Sequence, residues 1–506
     1  MKKTALMLMM ITILSKVFGF ARDITLANFY GVSNIADAYL ISKTVPIVLF
    51  GLMAAGISTA YIPMYSKIES ENGTKEANKF TNNLLNVLIV IITIMVTIGL
   101  AYTEQIIKIV AVGFNGETLR LAVEFTRISI LGMYFTGFLA VFNGLLQIKG
   151  NYLIPALIGF PMNILIIISI YLSTNTNILV LAIGTVLATA FQIVLIIPYV
   201  YKTGYRQKLK INFKDKYIKR MGIIAFPVMI GASVNQLNTI VDRTIASYIT
   251  EGGIAALTYA ERVNDFVYGI FVLSIVTVLF PLISKMVAGN NIDGLKTSVS
   301  NAIIGISVLV LPATIGVIIF SEQIVSFLYG RGDFDNKAVS MTAIALFFYS
   351  IGMVGIGYRE LLFRVFYSLQ DTKTPMINAT VTVLLNIVLN IILSKYLGIG
   401  GLALATSLSS IICTILLYFS LKRKIGPLGM KKKFEPLIKI TLASLIMGGA
   451  AKITYKLTFI YFGGANVPLL ISIFAGAIIY GVTIYLMRIE DIDPIINAVK
   501  KKLSFR

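Results

Sequence analysis

The sequence predicts an all-α polytopic membrane protein of about fourteen transmembrane helices, arranged as two parallel six-helix repeats followed by two extra C-terminal helices. Three observations carry that expectation. Of 506 residues, 57% are hydrophobic and only 13% charged, where soluble domains average about 45–50% and about 25%; mean hydropathy is +0.85. Apolar stretches of about 20 residues, the length of one bilayer crossing, recur along the whole chain with short polar gaps that leave no room for a soluble domain. A set of polar and turn residues also repeats at one constant spacing.

Composition removes several kinds of chemistry at the outset. Histidine is absent and Cys413 is the only cysteine, so zinc clusters, disulfide frameworks, Cys/His nucleophilic pairs and histidine proton relays are excluded. Cys413 lies in an apolar run and reads as packing. The net charge of +21 is dispersed between apolar spans, which reads as membrane orientation and not as nucleic-acid binding.

The first span, residues 5–29, follows Met1, Lys2 and Lys3 and imitates a secretory signal. No small-residue cleavage site follows it and the stretch continues through Lys16 and Arg22, so an uncleaved span is expected. Further spans are expected near 35–62, 80–102, 118–147, 152–172, 177–200, 221–247, 254–284, 297–320, 338–367, 374–394, 399–421, 435–458 and 464–487. Loops on one side collect Lys67, Lys75, Lys79, Lys149, a dense basic run over 202–220, Lys285, Lys296, Lys373 and a cluster over 422–433, while the opposite loops hold only scattered cations such as Lys108 and Arg331. That bias is expected to place both termini in the cytoplasm. The tail, 489–506, reads either as an amphipathic segment on the inner leaflet or as a solvated end.

Gly51, Pro63, Ser66, Lys67, Asn83, Glu104, Gln105 and Ile106 recur as Gly269, Pro281, Ser284, Lys285, Asn301, Glu322, Gln323 and Ile324, at an offset of 218 throughout. Pro155 has a near-counterpart in Pro375. Six spans per repeat give both halves the same direction through the membrane, a transporter architecture whose substrate site is expected between the halves. The divisions are then 1–201 for the first lobe, 202–220 for a basic linker, 221–424 for the second lobe, 425–488 for the last pair and 489–506 for the tail.

The informative residues are ionisable ones inside spans: Lys16, Arg22, Asp23, Asp37, Lys43, Glu124 and Arg127, then Asp242, Arg243, Glu261, Arg262, Asp265, Arg359, Glu360 and Arg364. A charge at the bilayer centre costs about 2.5–3.5 kcal/mol, so exposing a dozen to lipid would cost on the order of 30 kcal/mol. A shared hydrated interior avoids that cost. Some charges instead have partners at helical spacing, Glu360 with Arg364 at i,i+4, Arg262 with Asp265 and Glu124 with Arg127 at i,i+3, and can neutralise one another near the interface. Lys16, Arg22, Lys43 and Arg262 make the interior predominantly cationic, which suits a phosphate-bearing substrate. A second constellation, Asn386, Asn390 and Thr406 with Asp242, offers one carboxylate and neutral oxygens to a hard monovalent cation, or else is hydrogen-bonded glue between helices.

Several stretches, taken in order, resemble the MurJ/MviN lipid II flippase family of the multidrug/oligosaccharidyl-lipid/polysaccharide exporter superfamily. They are SKVFGFARD at 15–23, Ala36-Asp37-Ala38, Tyr259-Ala260-Glu261-Arg262 with Asp265 and the downstream PLISK at 281–285, YGRGDF at 329–334, and RVFYSLQDTKTP at 364–375. The resemblance implies alternating-access translocation of undecaprenyl-pyrophosphate-linked peptidoglycan precursor, driven by membrane potential or an ion gradient. It implies that Arg22 and Arg262 bind the diphosphate or sugar-peptide head, that Lys16 stands where the family usually has Arg, and that Asp37 and Asp265 gate or orient. It also implies a polyprenyl-tail groove in the last two spans and sodium at Asp242, Asn386, Asn390 and Thr406. In the second span the family usually carries an Arg pair and an Ala-Glu-Gly, where this chain has Phe50-Gly51 and Ala54-Ala55-Gly56. The expected partners are lipid II or a similar polyprenyl-diphosphate-linked saccharide and membrane lipids, with the protein a monomer and no cofactor apart from sodium. Competing readings are export of another lipid-linked oligosaccharide or of drugs, and a non-transporting scaffold for cell-wall synthesis. No nucleophile and base constellation points to an enzyme.

Overall fold

Helices account for every regular element of the computed structural model, which describes residues 2–209 and 211–488. In order they are α1 Lys2–Tyr30, α2 Asn34–Ala101, α3 Thr103–Val110, α4 Gly116–Ser129, α5 Gly132–Ile148, α6 Leu153–Leu157, α7 Gly159–Asn175, α8 Val180–Lys202 and α9 Lys216–Ile249. There follow α10 Gly253–Ala288, α11 Ile292–Tyr329, α12 Asn336–Ile351, α13 Met353–Ser368, α14 Lys373–Leu397, α15 Ile399–Ile425, α16 Met430–Phe462 and α17 Asn466–Leu486. The tail expected over 489–506 lies outside the described residues.

Among the described residues ten helices are long and apolar enough to cross a membrane, or up to twelve if each of two bent pairs is taken as one span. The 68 residues of α2 far exceed one crossing, which takes about 20. Both the second and third expected spans fall on α2, one on each side of Gly73, whose φ of +80° breaks the helix. The bent pairs are α4 with α5, at 42°, and α12 with α13, at 47°. Each coincides with the fourth expected span of its repeat.

Packing divides the chain into two units, Met1–Ala255 with Arg331–Asp335, and Ala256–Gly330 with Asn336–Arg506. In the first, the two arms of α2 bury Tyr61, Tyr65 and Phe80 against Phe142 of α5. Helix α9 joins the same core through Met221 and Ala225. A Cβ on Gly56 would lie 2.9 Å from the Ala225 Cβ, so glycine there is what lets α9 lie directly on α2. Packing therefore divides the chain one helix later than the basic linker at which the sequence repeat divides it. In the second unit α11 carries α16 and α17 through Ile304, Ile440, Ala443 and Ile484, and Tyr480 of α17 donates to the Val308 carbonyl at 2.7 Å. The α12–α13 bend rests on α15, where Ser407 donates to Phe348 O at 2.6 Å.

Candidate functional site

Within the first unit α1 is held to α7 by an edge-on contact of Phe18 with Phe160, ring centroids 4.3 Å apart. Beside it Gly159 leaves room for Ser15, whose Oγ a Cβ would approach to 2.8 Å. That packing carries Arg22 to Asn163. The Arg22 guanidinium donates through Nε and Nη2 to Asp23 Oδ1, at 3.0 and 2.8 Å, and through Nη1 to Asn163 Oδ1, at 3.1 Å. Asn163 is fixed in turn by its amide, which donates to Gly159 O at 2.8 Å. A half-buried cation held by both a carboxylate and a fixed amide keeps one orientation.

Helix α2 brings the second cation. Lys43 Nζ stands 4.5 Å over the Tyr39 ring, and the buried Tyr39 hydroxyl shares a hydrogen bond with Thr185 at 2.7 Å. Arg22 and Lys43 both line a cavity of about 510 Å³, together with Phe50, Gly51 and Ala54 of α2, Thr136 and Asn143 of α5, and Met162, Thr185 and Gln192 of α7 and α8. Among the described residues lining it there is no carboxylate. Its walls are otherwise apolar or neutral; the Asp23 carboxylate, outside the lining, offsets part of the Arg22 charge, and Lys43 adds a second cation in a medium that screens charge poorly.

The other expected site residues lie elsewhere. Lys16 is exposed on α1 and does not line the cavity. Asp37, 1% exposed, serves the backbone: its Oδ1 accepts from Ala255 N, in the first turn of α10, at 2.7 Å. A carboxylate at a helix start satisfies an orphan N–H and the helix dipole. Arg243 braces the same turn by donating to Ile254 O at 3.0 Å. In the second unit Glu261, Arg262 and Asp265 are exposed along α10, and Arg262 Nη1 lies 3.6 Å from Asp265 Oδ2 on the next turn. Glu360 and Arg364 of α13 pair at 3.1 Å.

Of the four expected sodium ligands, three meet inside the second unit. Asn390 donates to Asn386 Oδ1 at 2.9 Å, and Asn386 to Thr406 Oγ1 at 3.5 Å. Asp242 belongs to the first unit, where Asn238 donates to its Oδ2 at 3.3 Å. No cluster of three or more acidic or cysteine side chains occurs among the described residues. The buried oxygens of the trio are of the right kind for a hard cation, and Asn386 Oδ1 already serves the neighbouring amide.

Asn163 and Gln192 carry no charge, so the charges within α1 through α8 do not point to them. Their signal is a lone amide within an apolar run, PMNILII for Asn163 and TAFQIVL for Gln192. A buried amide of this kind needs a polar partner.

A cation-lined cavity inside a many-helix membrane protein with bent fourth spans defines a transporter of the multidrug-exporter fold class. An inward-facing multidrug resistance transporter of the MOP superfamily superposes with a TM-score of 0.71 over 85% of this chain and 99% of its own, at 15% identity, a likeness of fold alone. The family model described as "Lipid II flippase MurJ" matches residues 26–473, and this chain belongs to that family. A probable lipid II flippase MurJ of Buchnera aphidicola subsp. Baizongia pistaciae is 30% identical over 455 residues, 88% of each chain. The solved lipid II flippase MurJ in an inward closed conformation superposes with a TM-score of 0.83, at 30% identity, over 94% of this chain and 98% of its own.

Proposed function

We propose that this protein carries lipid II from the inner to the outer face of a bacterial cytoplasmic membrane, as a monomer with both termini in the cytoplasm. The observation that carries the reading is the first unit's cavity, lined by Arg22 and Lys43 and by no carboxylate among its described residues. A diphosphate leaving water needs charge-assisted donors; Arg22, oriented by Asp23 and Asn163, and Lys43 would supply them through their remaining N–H groups. Family membership and the likeness to a solved lipid II flippase support the same substrate.

With the cell interior negative, outward movement of an anion runs down the electrical gradient, at about 2.3 kcal/mol per charge for each 100 mV. The chain's own task is then to lower the desolvation barrier and to alternate access. The last pair, α16 and α17, exposes Ile453, Ile460, Phe474 and Ile478, an apolar surface of the kind a polyprenyl tail requires. Sodium belongs to the same proposal through Asn386, Asn390 and Thr406, whose neutral oxygens would hold it.

The test is complementation. In cells depleted of their own flippase, the intact chain is expected to restore lipid II on the outer face, and Arg22→Ala to fail while still inserting. A folded, inserted wild-type chain that restores no outer-face lipid II would overturn the proposal. A second reading, a different lipid-linked saccharide, draws on Phe50 and Gly51: the cavity is lined by both second-span positions where the family's usual Arg pair is missing. Parallel assays with headgroup variants of the polyprenyl diphosphate separate the two.

A further inference from the structure

The chain between α8 and α9 does not line the cavity, yet the first unit grips it closely. From 202 to 220 it carries eight basic residues and one acidic, Asp215, which caps α9 by accepting from Tyr217 N and Ile218 N at 2.8 and 3.2 Å. Ahead of that cap, three buried asparagines of α2 hold the segment by its main chain. Asn82 donates to Arg206 O at 3.1 Å and accepts from Lys208 N at 2.8 Å. Asn86 donates to Lys208 O at 2.8 Å, and Asn83 both donates to Asn212 O and accepts from Asn212 N, at 2.9 and 2.7 Å. The fully buried Tyr205 anchors one end, its hydroxyl reaching Asn82 Oδ1 at 2.8 Å.

Because the grip is on the backbone, the side chains are left facing outward. Leu209 is 91% exposed, Ile211 52% and Phe213 55%, and Arg206, Lys208 and Lys214 are exposed beside them. The sequence 208–214, KLKINFK, alternates basic or amide residues with apolar ones, a period of two that sorts the two kinds onto opposite sides of an extended chain. Three large apolar side chains on a rigidly held strap are poorly placed in water. The strap's depth is marked by the end of α8, where Tyr199 and Tyr201 are exposed, with Lys202 5.5 Å over the first ring and Arg206 4.9 Å over the second. Tyrosines with cations at the end of an apolar span mark the boundary between bilayer and water.

We infer that the segment held on α2, residues 205–209 and 211–214, is a fixed amphipathic strap that docks on anionic phospholipids of the leaflet at the C-terminal end of α8. Leu209, Ile211 and Phe213 enter the boundary between headgroups and acyl chains, and Arg206, Lys208 and Lys214 reach back along their flexible stems to the lipid phosphates. A soluble acidic partner would satisfy the cations but has no use for apolar side chains held at headgroup depth, so the lipid is the occupant the strap fits. The inference rests on the membrane-spanning reading and not on the identity of the transported lipid.

The chain contains no tryptophan, so Leu209→Trp in the full-length protein is a single reporter, with Phe213→Trp as its replacement if the first variant folds poorly. The protein is placed in nanodiscs of phosphatidylcholine alone or mixed with phosphatidylglycerol. The expected result is blue-shifted emission, protection from iodide and quenching by lipids brominated high in the acyl chain, all growing with phosphatidylglycerol. Adding Lys208→Gln, Lys214→Gln and Lys216→Gln should abolish that growth. Water-like, iodide-quenched emission in both lipid mixtures would overturn the inference, as would burial that appears only when a soluble polyanion is added. Complementation is read separately, so failure of the strap and failure of the flippase reading are distinguishable.

Discussion

The bent helix pair of the first unit and that of the second share a position in the repeat and a similar bend, 42° and 47°, but they handle charge in opposite ways. Helix α5 carries no charged residue from Gly132 to Ile148, and it lends neutral Thr136 and Asn143 to a cavity whose cations come from α1 and α2. Helix α13 carries Arg359, Glu360 and Arg364 itself. There Glu360 and Arg364 close on each other, and Arg364 lies 5.5 Å over the Phe280 ring. One scaffold therefore serves two ends: in the first unit the bend leaves room beside which Arg22 and Lys43 of other helices stand, whereas in the second the helix pairs Glu360 with Arg364 and turns Arg359 to the Ser410 hydroxyl of α15. The first arrangement is fit to bind an anion and the second to lower the cost of burying ionised groups.

The comparison breaks most visibly at Arg22. Arg22→Ala removes a cavity cation and strands the buried Asp23, so both activity and folding should suffer; loss of one partner from a buried pair costs about 3–5 kcal/mol. Arg22→Ala combined with Asp23→Ala removes the stranded charge. We expect that double variant to regain most of the lost thermal stability in detergent while restoring little or no outer-face lipid II. Recovery of both together would show that Arg22 is a structural residue alone.

A smaller and more selective effect is expected from placing an acid where α5 has none. Thr136→Glu puts a negative charge into the lining, and at an effective dielectric near 20 this should cost an anionic substrate on the order of tenfold in rate. Thr136→Gln, of like size, should stay close to wild type. Equal losses in the two would assign the effect to bulk and leave the cavity's positive potential without support.

The outlines of this comparison are legible in the sequence, and the reasons are physical. Hydropathy and the offset of 218 residues disclose the spans and their repetition, because a helix in lipid must be apolar along its length. Arg22 and Lys43 stand out because a charge inside a span is costly. Glu360 and Arg364 at i,i+4 predict their own pairing. What the sequence does not disclose is which charges share a wall. Asp37 satisfies an N–H 218 residues away, and Asn163 meets Arg22 across 141 residues; both depend on helix packing that no local pattern encodes. The grip of Asn82, Asn83 and Asn86 on the basic linker is hidden for the same reason.

In the second unit the effects should be smaller. Glu360→Gln breaks a pair whose arginine is partly exposed, and such pairs contribute about 1 kcal/mol or less. Arg364 retains Phe280 beneath it, so a slight fall in thermal stability and near-normal complementation are expected. A collapse of transport comparable to that of Arg22→Ala would mean that α13 takes part in handling the substrate, and the contrast between the two bends would have to be given up.

The smallest effect lies outside the spans, at Asp371 in the loop between α13 and α14. The Lys424 ammonium bonded to its carboxylate, helped by the Thr374 N–H, brings Asp371 down from an ordinary 3.8 to about 2. A depressed carboxylate adds stability that is complete above its unfolded value and is lost as pH falls through the folded one. The advantage of wild type over Asp371→Asn in thermal unfolding should therefore be constant above about pH 5 and vanish between about pH 4 and pH 2. Lys424 is well exposed, so screening keeps the plateau near 1 kcal/mol or below, at about the level of other exposed pairs. Added salt should shrink it further. An Asp371→Asn curve parallel to wild type down to pH 2 would show that the loop draws its order from the Thr374 contacts and not from the ion pair. The charge economy of the second unit would then end at α13.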